Sequence, residues 1–211
     1  MFDYSVAHWA SFFLAAVILN IAPGPDIAFI LGQTVRGGKK SGFAAMFGIW
    51  TGAFGHVVMA AAGLSAILAT SAVAFVVVKW LGAAYLVFLG LKALRSRGGK
   101  FVSHETGDST NFPHIYKQGA LVGLLNPKVA IFFLAFLPQF VVEGAGPVWA
   151  QLFLHGALVI AVAATIEPPL VLLGDRITGK LRNSPKIGQW MDRTLGAVFI
   201  ALGIRLALAK P

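Results

Sequence analysis

The stretch Asn20-Ile21-Ala22-Pro23-Gly24-Pro25-Asp26 decides the fold, together with Asn126-Pro127-Lys128 in the second half of the chain. Each stretch interrupts a long apolar segment with proline, which lacks an amide hydrogen and breaks the hydrogen-bond ladder of a helix. Each also places a charge, on Asp26 or Lys128, where a membrane makes it cost about 2.5 kcal/mol or more. Because Pro25-Asp26 aligns with Pro127-Lys128, the same cost occurs twice in matching places. The pattern indicates transport of a polar compound.

The composition places the chain in the membrane class. Hydrophobic residues make up 57% of its 211 residues and charged residues only 12%, too little polar surface to cover a globule. The formal charge of +9 does not predict nucleic-acid binding, because the basic residues lie in short loops where they set membrane topology. The absence of cysteine excludes disulfides, thiolate metal sites and dithiol chemistry. No basic residue precedes the first apolar run, which predicts a retained membrane segment rather than a cleaved signal peptide.

Six apolar segments are long enough to span a membrane, for which about 20 residues are needed. The first is too long for one straight helix, so we expect a break at Pro23-Gly24-Pro25. The predicted fold is therefore an all-α integral membrane protein with six transmembrane helices, of which helices 1 and 4 are broken. The segments are approximately 6–34, 43–69, 72–94, 117–142, 148–173 and 189–209.

The basic residues predict the orientation. Most of the 17 Lys and Arg residues lie in three loops on one side of a six-span arrangement, and the opposite loops, near 70–71 and 142–147, carry none. By the positive-inside rule, the three basic loops are cytoplasmic and both termini lie outside.

The two halves of the chain resemble each other, which predicts an internal duplication. Besides the proline motifs, the segment 81–92 aligns with 195–205 through the shared start Leu-Gly-Ala and a later Leu-Gly. Since each half holds three spans, the halves enter the membrane from opposite sides. The prediction is a single transporter domain, 1–211, with inverted repeats 1–94 and 112–211 joined by a cytoplasmic linker, 95–111.

The proline motifs predict a binding site at the midplane. Pro25 and Pro127 suit the first position of a helix, so two half-helices would begin there with free amides that suit a carboxylate. The carbonyls of the unwound residues suit an ammonium group, and a zwitterion fits both. Two alternatives stay open: a purely structural ion pair between Asp26 and Lys128, and asparagines that only cap helix ends. The predicted substrate-binding residues are Asn20, Pro23, Gly24, Pro25, Asp26, Asn126, Pro127 and Lys128.

Three residues are candidates for proton coupling: Asp26 first, then His56 and Glu167. His56 lies near the middle of the second segment, where a neutral packing histidine is an equal alternative to a proton relay. Glu167-Pro168-Pro169 favours an acid along the pathway at a helix break, against an acid reaching for the membrane surface. His155 is expected to pack. Gly48-x-x-x-Gly52 predicts close helix packing.

Several motifs together resemble the LysE/RhtB family of bacterial inner-membrane exporters, the lysine exporters and homoserine–threonine exporters. The resemblance implies proton-driven efflux of amino acids or close derivatives from six spans in two inverted halves, with the site at Pro23–Asp26 and Asn126–Lys128. Glu167-Pro168-Pro169 departs from the aromatic-rich sequence expected there. The motifs are Ala22–Asp26, Arg36-Gly37-Gly38, Gly48–His56, Gly82–Leu86 with Leu89-Gly90, Leu124–Lys128, Phe136–Phe140, Gly196-Ala197 and Leu202-Gly203.

Three other functions fit the sequence less well than amino-acid export. A divalent-metal or other small-cation exporter would use His56, His155, Asp26 and Glu167 as its only candidate ligands. A membrane-embedded enzyme would need a nucleophile and base at a suitable spacing, and none stands out. A purely structural membrane protein leaves two broken helices unexplained. We therefore expect no enzymatic activity, no cofactor, no bound metal and no nucleic acid. The expected partners are a small zwitterion, protons and membrane lipid, and a homodimer is left open.

Overall fold

The computed structural model describes residues 3–22, 24–64 and 111–174 continuously, together with isolated positions between 73 and 95 and between 193 and 208. Within these ranges the regular structure is helical, and no strand occurs among the described residues. The predicted all-α architecture is confirmed to that extent. Pro23, the linker 96–110 and most of the predicted segments 72–94 and 189–209 lie outside the described residues.

The first helix ends where the sequence predicts a break. Helix α1, Val6–Ile21, begins after Ser5, whose hydroxyl oxygen accepts a hydrogen bond of 3.1 Å from the amide of His8. Such a side-chain cap satisfies one of the amides that a helix start leaves without a partner. At the other end the amide of Ala22 still bonds the carbonyl of Ile18, and the helix stops there because a proline follows.

Helix α2, Pro25–Met59, bends once along its length and continues into a π-helical turn, Ala60–Leu64. The bend is at Gly38, whose backbone angles, φ 72° and ψ −173°, lie in a region open essentially to glycine. Lys39 and Lys40 follow it and are exposed. The bend therefore falls in the basic loop that the sequence predicts between the first two spans, and it divides α2 into two arms, 25–37 and 39–59.

The second proline motif separates α3, Phe112–Leu124, from α4, Pro127–Ile131. The chain continues from α4 as a π-helical turn, Phe132–Phe136, and a short 3₁₀ helix, Leu137–Phe140. The axis of α3 and the axis of the segment Pro127–Phe140 meet at 42°. The break predicted at Pro127 is confirmed.

Helix α5, Val148–Leu172, runs through Pro168 and Pro169 without ending, so the predicted break at Glu167-Pro168-Pro169 is wrong. Membrane helices tolerate proline where neighbouring helices and side chains satisfy the freed backbone groups. The helix instead ends three residues after Pro169, where the amide of Leu173 bonds the carbonyl of Pro169 at 3.0 Å.

Two helices of the described part are long and apolar enough to cross a membrane: 39 residues at Pro25–Gly63 and 25 residues at Val148–Leu172. A third span results if the bent pair Phe112–Leu124 and Pro127–Phe140 crosses as one broken helix. Helix α1 is apolar but shorter. Six spans in two inverted halves therefore stay a prediction.

An aromatic cluster joins the start of α1 to α5. The Nε2 atoms of His8 and His155 lie 2.9 Å apart, and Nδ1 of His155 donates to the carbonyl of Gln151. Tyr4 stacks on His8, and Trp9 stacks on His155. His155 is thus a buried packing residue, as the sequence predicts, and it fixes α1 against α5.

Helices α2 and α3 are held together by reciprocal ridges of glycine. A methyl group at Gly48 or Gly52 would meet backbone atoms of α3, and one at Gly119 or Gly123 would meet backbone carbonyls of α2. Small residues four apart let helix backbones approach this closely in a membrane. The packing role predicted for Gly48-x-x-x-Gly52 is confirmed. The matching Gly119-x-x-x-Gly123 was missed, although the same spacing in the sequence signals it.

We expect Gly52→Ala to destabilise the protein by about 1–3 kcal/mol, because the added methyl group meets backbone that cannot move aside. Thermal unfolding of purified protein in detergent measures this loss. The matched control is Gly32→Ala on the same helix, where a methyl group meets nothing within 4 Å. That control should be neutral or slightly stabilising, because alanine favours helix over glycine. Equal stability of the two variants would contradict the ridge.

Candidate functional site

A buried ion pair joins the two interrupted helices. Nζ of Lys128, in the first turn of α4, lies 2.7 Å from Oδ2 of Asp26, in the first turn of α2. Both residues are only 5% exposed. The structure therefore brings together the two ionisable residues whose closeness the sequence predicts. A buried pair of this kind avoids the cost of either charge alone.

The end of α1 completes the surroundings of the Lys128 ammonium. Nζ also donates to the carbonyls of Leu19, at 3.2 Å, and Ala22, at 2.9 Å. In an uninterrupted helix the Leu19 carbonyl would accept from residue 23, but a proline there has no amide hydrogen. The three hydrogens of the ammonium thus meet three acceptors. The carbonyls at this break thus bind one ammonium group, that of Lys128, and their predicted contact with a substrate ammonium group stays a prediction.

The two half-helix starts are unequal. Gly24 precedes α2 without a side-chain cap, whereas Asn126 caps α4, its Oδ1 accepting from the amide of Lys128 at 3.0 Å. The expectation that both ends keep their amides free is wrong for α4, because the short asparagine side chain reaches its own first turn. Pro25 and Pro127 each stand at the start of their helix, as predicted.

The side chain of Asn20 does not cap a helix end but bonds to a neighbouring helix. Its Nδ2 donates to the carbonyl of Ala16 in its own helix, at 2.8 Å, and to that of Val159 in α5, at 3.3 Å. The side chain is buried, and it ties α1 to α5 one turn before the break. Its predicted contact with substrate stays a prediction.

Gly24 lies directly against the ion pair. A methyl group at this position would stand 2.5 Å from Oδ1 of Asp26 and 3.1 Å from Nζ of Lys128. Only glycine therefore leaves both charged groups where they are, which explains the glycine between the two prolines of the first motif.

His56 lies at the second break. It is buried on α2 and interacts with the backbone carbonyls of Gly123 and Leu124 at the end of α3. The carbonyl of Gly123 is the one that Pro127 deprives of its usual donor. Each break thus has a nitrogen-bearing side chain from another helix near backbone carbonyls: Lys128 at the first and His56 at the second, where the amide of Asn126 also bonds the Gly123 carbonyl at 3.3 Å.

Glu167 is the second buried acid near the ion pair. It is 2% exposed, and its Oε2 accepts a hydrogen bond of 2.6 Å from the indole Nε1 of Trp50 on α2. It also interacts electrostatically with Asp26 and with Lys128. The alternative of an acid reaching for the membrane surface is therefore wrong. Trp50 was missed, and no sequence signal links it to Glu167.

Three buried polar atoms have no hydrogen-bonding partner within the described ranges: Oδ1 of Asp26, Nδ2 of Asn126 and Nε2 of His56. Buried polar atoms are nearly always paired in native proteins, so each of these retains capacity for a polar ligand. They offer an acceptor, a donor and an imidazole nitrogen, which is the mixture that a small polar molecule with both kinds of group requires.

Metal binding has no support in the described part of the chain. No group of three or more His, Cys, Asp or Glu side chains that could hold a metal ion occurs there. The four candidate ligands for a metal exporter therefore do not assemble into a centre of their own, since Asp26 pairs with Lys128 and His155 with His8.

Interrupted helices with ionisable residues buried at the breaks are typical of membrane transport proteins. Comparison with known families agrees. Residues 17–210 match the LysE type translocators, and the chain belongs to this family. The resemblance found in the sequence is confirmed.

Relatives match over nearly their full length. The chain is 30% identical over 205 residues to an uncharacterized membrane protein of Vibrio cholerae serotype O1, covering 96% of this chain and 97% of the relative. It is 28% identical over 202 residues to homoserine/homoserine lactone efflux proteins of Salmonella typhi and Salmonella typhimurium, with the same coverage. No solved structure matches the chain.

We expect Lys128→Met to destabilise the protein by about 3–5 kcal/mol, because it leaves a buried carboxylate without its partner. The double variant Asp26→Asn/Lys128→Met should recover most of this loss, since no charge is then left unpaired. Thermal unfolding in detergent, carried out as a double-mutant cycle, measures both effects. Wild-type stability of the single variant would show that the pair contributes nothing to the fold.

Proposed function

We propose that this protein is a secondary exporter of amino acids or close derivatives, of the homoserine type, driven by proton antiport across the bacterial inner membrane. The observation that carries the proposal is the buried pair of Asp26 and Lys128 between two interrupted helices. The relatives named as homoserine/homoserine lactone efflux proteins support the choice of substrate and direction.

An amino acid carries the same two groups as the ion pair. Its ammonium group can take the position of Lys128, on Asp26 and the carbonyls of Leu19 and Ala22. Its carboxylate can take the released Lys128 and the uncapped start of α2 behind Gly24, where the helix dipole favours negative charge. Substrate binding therefore replaces the ion pair of Asp26 and Lys128 with two ion pairs between protein and substrate, and each buried charge keeps a partner.

This exchange provides a route to coupling. When the pair opens, the charge that surrounds each titratable group of the site changes, and with it the affinity of that group for a proton. Asp26, His56 and Glu167 are the titratable groups concerned, and Asp26 controls the exchange because it holds Lys128. The site then alternates between a proton-loaded and a substrate-loaded form.

Six spans in two inverted halves would give the site access to either side of the membrane. Rocking of one half against the other is the general route in transporters built from inverted repeats. With the basic loops in the cytoplasm, substrate enters from the cytoplasm and leaves outside.

We expect Asp26→Asn to insert normally but to lose transport driven by a pH gradient. The neutral amide cannot form an ion pair with Lys128 or with the ammonium group of a substrate, so the exchange between the two is lost. Lys128→Ala should lose both binding and transport, and His56→Ala should be milder. The assay is uptake of labelled homoserine into proteoliposomes with an acidic interior, compared with protein-free liposomes. Undiminished gradient-driven uptake by the Asp26→Asn protein would leave Asp26 a purely structural role.

The substrate itself can be identified in cells. Cells loaded with dipeptides and expressing the protein should release the transported amino acid faster than cells expressing Lys128→Ala. All amino acids are measured in the medium at once. Equal release of every amino acid by the two strains would remove amino acids from the list of substrates.

The orientation predicts opposite labelling of two loops. The native chain has no cysteine, so a single introduced one reports alone. Glu143→Cys, exposed between α4 and α5, should react with an impermeant thiol reagent added to intact cells. Ser103→Cys, in the predicted cytoplasmic linker, should react only after the cells are opened. Labelling of residue 103 from outside would overturn the topology.

A further inference from the structure

We infer that Glu167 holds the proton that this transporter exchanges for its substrate. The inference rests on the proposed proton-coupled efflux, for which Asp26, His56 and Glu167 are all candidate proton carriers. It assigns the exchanged proton to Glu167. It starts from the unequal surroundings of the two buried acids.

The charge on Asp26 is compensated directly. An ammonium group lies 2.7 Å away, and Asp26 stands in the first turn of α2, where the helix dipole favours an anion. Protonation of Asp26 would break the ion pair and leave Lys128 with carbonyl partners only. The closed pair thus gives the Asp26 carboxylate a directly bonded cation.

Glu167 is as deeply buried, but its hydrogen bond comes from a neutral group. The indole of Trp50 donates to Oε2. Within the described region, Glu167 takes no part in the ion pair of Asp26 and Lys128. A buried carboxylate without a bonded cation is costly, and a proton removes that cost. In the closed-pair state the proton therefore resides on Glu167.

The charged groups around Glu167 make its proton sensitive to substrate. Asp26 repels a charge on Glu167, Lys128 attracts it, and the effect of Asp26 is the larger. A substrate whose ammonium group pairs with Asp26 and whose carboxylate pairs with Lys128 weakens both effects, and the loss of the larger repulsion makes a charge on Glu167 less costly. Substrate binding thus releases the proton of Glu167, and proton binding favours release of the substrate, which is the reciprocity that antiport requires.

The other titratable groups on the elements that pack against α5 are more remote. His155 lies twelve residues before Glu167 on α5 itself, about 18 Å along the helix, and His56 lies six residues beyond Trp50, about 9 Å along α2. His8 stands at the start of α1. Arg36, Lys39 and Lys40 flank the bend of α2, and the last two are exposed.

The test separates exchange of substrate from its coupling to protons. Proteoliposomes loaded with unlabelled homoserine take up labelled homoserine by counterflow, with no pH gradient. The Glu167→Gln protein should retain counterflow and make it independent of pH. Its uptake driven by an acidic interior should fall to that of protein-free liposomes. Glu143→Gln, an exposed acid between α4 and α5, is the matched control and should behave as wild type in both assays.

Each outcome has a distinct meaning. Gradient-driven uptake by Glu167→Gln overturns the inference but leaves the proposed function intact. Wild-type counterflow without a response to the gradient refutes proton antiport, and no wild-type counterflow refutes homoserine as substrate. If Glu167→Gln does not insert, Trp50→Phe replaces it. This change removes the indole N–H that hydrogen-bonds the carboxylate and should shift the pH dependence of counterflow to higher pH. An unshifted profile overturns the inference.

Discussion

The ammonium group of Lys128 must be satisfied inside the protein, and much of the described structure meets that requirement. Its three acceptors come from two elements, the end of α1 and the start of α2, so both converge on one nitrogen. The proline at position 23 frees the Leu19 carbonyl, and Gly24 leaves room for the pair. Prolines and glycine that would weaken an ordinary membrane helix here serve a single buried charge.

The sequence predicted this centre because its signals are local. Prolines mark the helix breaks, charges in apolar segments mark the buried pair, and the matching order of the motifs predicts that Asp26 and Lys128 meet. Contacts that depend on which helix faces which were not predictable. Trp50 and Glu167 are 117 residues apart, and an apolar helix carries little information about its rotation. The same holds for the bond between Asn20 and α5.

Prolines were also the source of the clearest error. Pro168 and Pro169 have the same chemistry as Pro23 and Pro25, yet α5 continues past them. The two pairs of prolines differ in their neighbouring residues. The first break has a glycine and unwound residues, which let the chain leave the helix. In α5, Glu167 precedes the prolines and apolar residues follow them. A proline removes a hydrogen bond, but the neighbouring residues decide whether the helix ends.

The glycine ridges have a mechanical consequence for the site. Where backbones touch, two helices cannot slide past each other without lifting apart, so the second arm of α2 and helix α3 behave as one rigid lever. That lever carries His56 and ends at Leu124, only a few residues before Lys128. A tilt of this lever would therefore bend the chain at Leu125 and Asn126, directly before the residue that carries the buried ammonium group.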